Sequence, residues 1–129
     1  MRVYMDSVLI VYAVEQNPQF APGVEAWLLA NPCDLVSSEL GRMECLIVPV
    51  RTNSTQMIAD FEDYFQTRIA VLVPFTRAVY DRAIGIRATT RIKTPDALHL
   101  AAAVEAGCDV FLTNDIQLTK FTGVRVELI

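Results

Sequence analysis

One histidine and three cysteines are all that this chain offers in imidazole and thiol metal ligands. Cys33, Cys45 and Cys108 are odd in number and nowhere form a C-x-x-C pair. That excludes a disulfide framework and a zinc site, and reduced, buried thiols are expected. No apolar run reaches the ~18 residues of a membrane span. The start, Met1-Arg2-Val3-Tyr4-Met5-Asp6, lacks the apolar h-region of a signal peptide, so a cytoplasmic location is expected. Lysine and arginine are missing altogether from residues 3 to 41. Internal repeats, low-complexity tracts and linkers are also missing, which predicts one domain over 1–129.

What is present is an apolar chain, 53% hydrophobic and 20% charged, which suits a compact fold and excludes disorder. The net charge of −4 is unfavourable for binding phosphates. Its distribution matters more: Arg77, Arg82, Arg87, Arg91 and Lys93 fall close together between residues 77 and 93. They form either a solvated helix face or a local phosphate-contacting patch.

The hydrophobic pattern alternates strands with helices. Val3-Tyr4-Met5 reads as a short buried strand. Asp6-Ser7 caps a helix over Val8–Val14, and Asn17-Pro18 closes it. A second helix is predicted from about Gln19 to Ala30, stopped by Asn31-Pro32. Asp34–Ser37 is a strand, and Ser37 or Ser38 caps the helix carrying Leu40, Met43, Glu44, Ile47 and Val48. Thr52–Thr55 is turn and cap chemistry ahead of an amphipathic stripe of Met57, Ile58, Phe61, Tyr64 and Phe65. Ile69–Val73 is a third strand, and Thr76 caps a helix to about Thr89. Thr94 is expected as the cap of the next helix, Pro95 in its first turn and Gly107 as its stop. Asp109–Leu112 is a fourth strand, and Thr113-Asn114-Asp115 leads into a short helical turn. Val124–Leu128 is a last strand at an edge. The pattern predicts an α/β fold: a three-layer αβα sandwich around a mostly parallel sheet of four or five strands.

Four acids stand out against this frame. Sites in open parallel sheets form beyond the carboxyl ends of the strands. Asp6 follows the first strand and Asp115 the fourth, Asp96 opens a helix and Glu44 lies about two turns into another. Asp6 and Asp115 could simply cap helices, and Asp96 in a first turn is favoured by the helix dipole. Glu44 is different, because Leu40, Met43, Ile47 and Val48 flank it on an apolar side, where a carboxylate needs a partner. A metal ion would be one. Glu39 is a rival on the same helix, but its first-turn position suffices to explain it. Converging carboxylates raise one another's pKa values, and a hard cation relieves that repulsion. Oxygen-rich, His-poor ligands point to Mg²⁺ or Mn²⁺. His99, three residues after Asp96, is read as a hydrogen-bonded structural residue.

The carrying segments are Val3-Tyr4-Met5-Asp6-Ser7, Ser37-Ser38-Glu39-Leu40-Gly41-Arg42-Met43-Glu44, Thr94-Pro95-Asp96-Ala97-Leu98-His99-Leu100-Ala101-Ala102-Ala103 and Phe111-Leu112-Thr113-Asn114-Asp115. In their order and spacing the whole chain resembles the PIN-domain ribonucleases, with the closest look to VapC-type toxins of toxin–antitoxin pairs. The resemblance puts Asp6, Glu44, Asp96 and Asp115 on the family's acidic quartet and Thr113 on its supporting hydroxyl position. Ser7 stands where the family often has threonine, and Ile116-Gln117-Leu118 is less polar than in many members.

The resemblance implies an endoribonuclease in which one or two Mg²⁺ or Mn²⁺ ions activate a water and neutralise the scissile phosphate. Asp6 and Asp96 are the expected direct ligands, with Glu44 and Asp115 holding waters or a second ion. Asn114 could hydrogen-bond such a water, although a turn role suits it better. Arg87, Arg91 and Lys93 are candidates for guiding the RNA backbone. The resemblance also implies a small antitoxin partner and a homodimer. Val8, Leu9, Tyr12, Trp27 and Leu28 are candidates for part of the antitoxin surface. A phospho-receiver is excluded, since no acid follows Val73 and no lysine follows a strand where that mechanism needs one. A non-catalytic module on the same fold, or a nuclease acting in RNA processing without an antitoxin, stays open.

Overall fold

The computed structural model describes residues 1–129. Its elements in chain order are β1 (Arg2–Met5), α1 (Ser7–Val14), α2 (Ala21–Ala30), β2 (Asp34–Ser38), α3 (Glu39–Arg51), α4 (Thr55–Thr67), β3 (Ile69–Val73), α5 (Arg77–Thr89), α6 (Thr94–Glu105), β4 (Val110–Thr113), a 3-10 turn (Ile116–Lys120) and β5 (Arg125–Leu128). The five strands form one sheet in the order β3-β2-β1-β4-β5. Every pairing is parallel, so the expected αβα sandwich holds and the sheet is parallel throughout.

The period of two along the strands builds two cores, one on each face of the sheet. Val3, Met5, Val110 and Leu112 face α1 to α4, packing on Leu9, Ile10, Val24, Cys45 and Phe61. Tyr4, Val36 and Phe111 face the other way, onto α5 and α6 through Val79, Ala83, Ala97 and Leu100. Tyr4 and Phe111 stack across neighbouring strands with ring centroids 5.1 Å apart.

The strand order places the site. The chain leaves β1 for β2 and β3 over one face, then returns over the other face to lay β4 against the free side of β1. The carboxyl end of β1 therefore lies where connections diverge, and a crevice opens there. Asp6 extends this strand end, its amide donating to the Leu112 carbonyl at 3.0 Å.

Local chemistry sets most helix ends. Asp6, Ser38, Ser54 and Thr76 cap α1, α3, α4 and α5 through side-chain oxygens. Gly107, at φ 68°, takes the left-handed position after α6. There its amide donates to Val104 and that of Cys108 to Ala103, a Schellman closure. Two ends differ from expectation. α2 starts at Ala21 rather than Gln19, because Asn17 Oδ1 accepts from the amides of Gln19 and Phe20 and holds them in a turn. Thr94 is the first helical residue of α6 and not its cap; Lys93 takes the cap position without a side-chain bond. Pro95 brings no N–H to that first turn, so less is left there for a side chain to satisfy.

The apolar residues of α3 are also redistributed. The helix buries Gly41, Cys45 and Pro49, a stripe at i, i+4 and i+8. Met43, Ile47 and Val48 are exposed. Glu44 is thus not flanked by core side chains on those sides, and its need for a partner has another origin, described below.

Candidate active site

Asp6 sits at the carboxyl end of β1 and caps α1, with Oδ1 accepting from the Ser7 amide at 2.8 Å. Its Oδ2 accepts from the Thr113 hydroxyl at 2.7 Å. Thr113, the fully buried last residue of β4, also accepts from the Asp115 amide at 3.1 Å. One hydroxyl thus pins the strand-end acid and the loop of the next one. Asp115 caps the 3-10 turn through Oδ1, which accepts from the Gln117 amide.

Glu44 approaches from α3. Its Oε1 accepts from Ser7 Oγ at 2.8 Å and lies 2.5 Å from His99 Nε2. The partner that its half-buried position demands is therefore a histidine from α6 together with the hydroxyl of Ser7. Asp96, in the first turn of α6, has no hydrogen-bond donor on its carboxyl group.

The electrostatics join these groups. Burial raises the pKa of Asp6, against the pull of Thr113, His99 and Ser7, and nearby Glu44 raises it further. Burial also raises Asp96, and the negative charges of Asp6, Asp115 and Glu44 add to the effect while His99 opposes it. Glu44 goes the other way. Burial would raise it, but the hydrogen bond and charge of His99 and the Ser7 hydroxyl lower it overall. The four carboxylates thus share one neighbourhood, with Asp96 the least compensated by protein donors.

Asp96 and Asp115 line a cleft of about 350 Å³ whose other walls include Arg91, Lys93, Gln117 and Lys120. Arg87 is not among them. Its guanidinium donates to the Ile92 carbonyl at 2.8 Å, bracing the α5–α6 connection from an apolar groove of α5. Asn114 is exposed, with Nδ2 donating to the Tyr12 hydroxyl at 3.3 Å. Glu39 is exposed at the start of α3. Of the apolar residues at the start of the chain, Leu9 is 1% exposed and belongs to the core, so it offers no surface to a partner. Val8, Tyr12, Trp27 and Leu28 are partly buried and pack against that core. The cysteines are free, and burial pushes the thiols of Cys45 and Cys108 up to about 12, which keeps them protonated.

No three Asp, Glu, His or Cys side chains converge closely enough to enclose a metal ion. The donor set suits a hard cation even so. The cleft acids Asp96 and Asp115 are oxygen ligands, and a divalent charge would offset both the burial that chiefly raises Asp6 and Asp96 and the smaller repulsion from neighbouring carboxylates. Mg²⁺ commonly binds through one or two carboxylates and keeps several waters, so it needs no closed protein cage.

Three contributors were not read from the sequence as part of the site. Lys120 comes from the 3-10 turn after Asp115, and its only signal was its nearness to that acid. Tyr4 and Ser38 extend the His99 contact inward, with the Tyr4 hydroxyl 2.7 Å from both His99 Nδ1 and Ser38 Oγ. The period of two in β1 was the available signal, since it turns Tyr4 away from Val3 and Met5.

A model of the PIN domain matches residues 3–124. The chain belongs to the PIN-domain family. Solved structures with the same fold include VapBC2 from Rickettsia felis, bound to a DNA fragment from its promoter. That likeness has a TM-score of 0.79 and 16% identity, covering 100% of this chain and 99% of the other. DNA-bound VapBC from Salmonella typhimurium gives 0.77 and 16%, covering 98% and 97%. A VapC toxin of Mycobacterium tuberculosis that cleaves the sarcin–ricin loop gives 0.72 and 13%, covering 95% and 98%. No curated protein sequence matches the chain significantly. At these identities the likeness is one of fold. Within it, this PIN domain sets its carboxylates at the divergence of its central strand.

Proposed function

We propose that this PIN domain is a metal-dependent endoribonuclease that hydrolyses RNA phosphodiester bonds, and that it is the toxin of a toxin–antitoxin pair. The observation that carries the reading is a cleft lined by Asp96 and Asp115 and rimmed by Arg91, Lys93 and Lys120, with Asp6 tied to the Asp115 loop through Thr113 and Glu44 tied to Ser7 beside Asp6. An acidic floor with basic walls suits a phosphodiester that must be bound and attacked in the same place.

A bound Mg²⁺ or Mn²⁺ would supply an activated water and charge neutralisation at the phosphate. Asp96, free of protein donors, and Asp6 are the residues that would hold the ion, with Asp115 and Glu44 ordering its water. Thr113 and Ser7 hold the Asp6 carboxylate in one orientation, and Ser7 also orders Glu44. Arg91, Lys93 and Lys120 would bind the backbone on either side of the scissile bond. Hydrolysis by in-line attack leaves a 5′-phosphate and a 3′-hydroxyl.

The toxin assignment is supported by the fold shared with the toxin chains of VapBC assemblies. The partner would be a small antitoxin carrying a basic side chain toward the acids. The chain also exposes Met43, Ile47 and Val50 on α3 and Tyr80 and Ile84 on α5, apolar area that favours a homodimer. No helix is long and apolar enough to cross a membrane, and RNA cleavage in the cytoplasm is the setting we propose.

The test is cleavage of total RNA by wild type and Asp6→Asn with Mg²⁺, Mn²⁺ or chelator, alongside co-purification of the antitoxin. Wild type should cut only with metal. Asp6→Asn should fall by at least about 100-fold, a loss of the size seen when one electrostatic catalytic group is removed, while keeping its fold. Full activity of Asp6→Asn, or full activity in chelator, refutes the mechanism.

A further inference from the structure

His99 is the only histidine in the chain, 2% exposed, and both of its ring nitrogens are engaged. Nε2 faces Glu44 Oε1 and Nδ1 faces the Tyr4 hydroxyl. Tyr4 in turn meets Ser38 Oγ, which caps α3 by accepting from the Gly41 amide. The chain of contacts closes on itself. It leaves α3 at its N-cap, crosses β1 and α6, and returns to α3 at Glu44, so the helix is gripped at two points by one buried set of side chains.

This arrangement has a consequence for Glu44. Its Oε1 carries two donors, Ser7 Oγ and His99 Nε2, and Oε2 carries none. In the neutral imidazole, Nε2–H donates to Glu44 while the Tyr4 hydroxyl, which otherwise donates to Ser38 Oγ, turns its proton to Nδ1 and accepts from Ser38. In the imidazolium, Nδ1–H donates to Tyr4 instead, and Nε2–H still donates to Glu44. The orientation of the carboxylate is the same in both. A glutamate on a helix otherwise turns about three side-chain torsions, and these two bonds remove that freedom.

We propose that His99 is a positioning residue. Braced by Tyr4 and Ser38, it holds Glu44 with Oε1 committed to the protein, which leaves Oε2 free for a water that a bound divalent cation would carry. This rests on the metal-dependent reading above. Outer-shell partners of metal ligands commonly change metal affinity or activity by about 10–100-fold when removed. A histidine that merely fills the core would be indifferent to what stands at position 44.

The experiment uses the full chain, labelled with ¹⁵N in the imidazole; a single histidine gives a single unambiguous set of signals. In the metal-free protein, Glu44→Gln and Tyr4→Phe should each shift the His99 resonances. Mg²⁺, with saturation followed by calorimetry, should shift them in wild type and leave them unmoved in Glu44→Gln. On a fluorogenic RNA oligonucleotide, His99→Ala should lower kcat by about 10–100-fold with KM little changed. His99→Gln, which keeps an N–H donor, should recover part of that loss. In the Glu44→Gln background, His99→Ala should add no further loss. If His99→Ala does not fold, Tyr4→Phe preserves the packing and should show a smaller kcat loss of the same kind.

Losses that multiply in the double variant, or Mg²⁺ saturation that leaves the wild-type imidazole unmoved, overturn the positioning role while leaving the nuclease reading intact. A wild type that neither binds Mg²⁺ nor cleaves RNA overturns both.

Discussion

Replacing Thr113 by valine removes a single hydroxyl from a fully buried position and keeps the side-chain shape. That hydroxyl donates to Asp6 Oδ2 at 2.7 Å and accepts from the Asp115 amide at 3.1 Å. A hydrogen bond to a charged group contributes roughly 1.5–3 kcal/mol, and the carboxylate left behind is largely shielded from water, so a loss of about that size is expected at neutral pH. The sign with pH follows from Asp6. Burial raises its folded-state pKa above the ordinary carboxyl value. Its ionised form is therefore disfavoured in the fold: Asp6 favours the folded state most at low pH, and that contribution is lost as pH rises from the unfolded pKa through the folded one. Thr113→Val withdraws a donor that favours the ionised form, so the folded pKa rises further and the loss grows with pH. Urea unfolding of both proteins between about pH 2.5 and about pH 7.5, a range that brackets carboxyl titration, measures it. The stability gap should be widest at the neutral end and shrink toward the acid end. In nuclease assays the acid limb of the pH–rate profile should move to higher pH. A gap of constant size across the range would mean that the Thr113–Asp6 bond is not what the substitution breaks.

The remaining predictions concern the cleft wall and the start of α3. Reversing Arg91, Lys93 and Lys120 to glutamate should weaken binding of single-stranded RNA and flatten its salt dependence by about 0.7 in log–log slope for each phosphate that is no longer neutralised. Arg87→Glu should leave that slope unchanged and lower stability, since its guanidinium holds the Ile92 carbonyl. Unchanged affinity in the triple reversal would remove these residues from the RNA path. A Cβ at Gly41 would stand 2.4 Å from Ser37 Oγ, so Gly41→Ala should destabilise by about 1–3 kcal/mol, as overpacking does. Ser37 Oγ is buried without a hydrogen-bond partner, so Ser37→Ala should be neutral or stabilising. In that background Gly41→Ala should cost less, and thermal unfolding of the four proteins of the cycle gives the coupling. Equal costs in both backgrounds would contradict the steric clash.

Much of this was legible in the order of the residues. Short apolar runs alternating with helical stripes, each bounded by Ser, Thr, Asp, Pro or Gly, are local signals, and local signals set where strands and helices begin and end. Asp6 and Asp115 could be placed at strand ends because a strand end is itself a local feature. Thr94 shows the limit of this: a threonine before proline looks like a cap, yet the backbone of Lys93 takes that role.

Glu44 shows the limit more sharply. Its neighbours Met43, Ile47 and Val48 suggested a core face, but in the fold they are exposed, and what Glu44 meets is His99, 55 residues away in the chain. Arg87 departs from the role its position suggests for the same reason. Its side chain turns back to brace its own loop, while Lys120, from the turn after Asp115, reaches the cleft instead. The sequence alone determined the layer architecture, most of the helix caps and which acids were available, because those depend on residue type and spacing along the chain. Only the tertiary structure decided that β4 lies beside β1, that Thr113 therefore meets Asp6, and that His99 meets Glu44. Those contacts depend on the crossover that brings the second half of the chain back over the sheet, and no spacing within a single element encodes it.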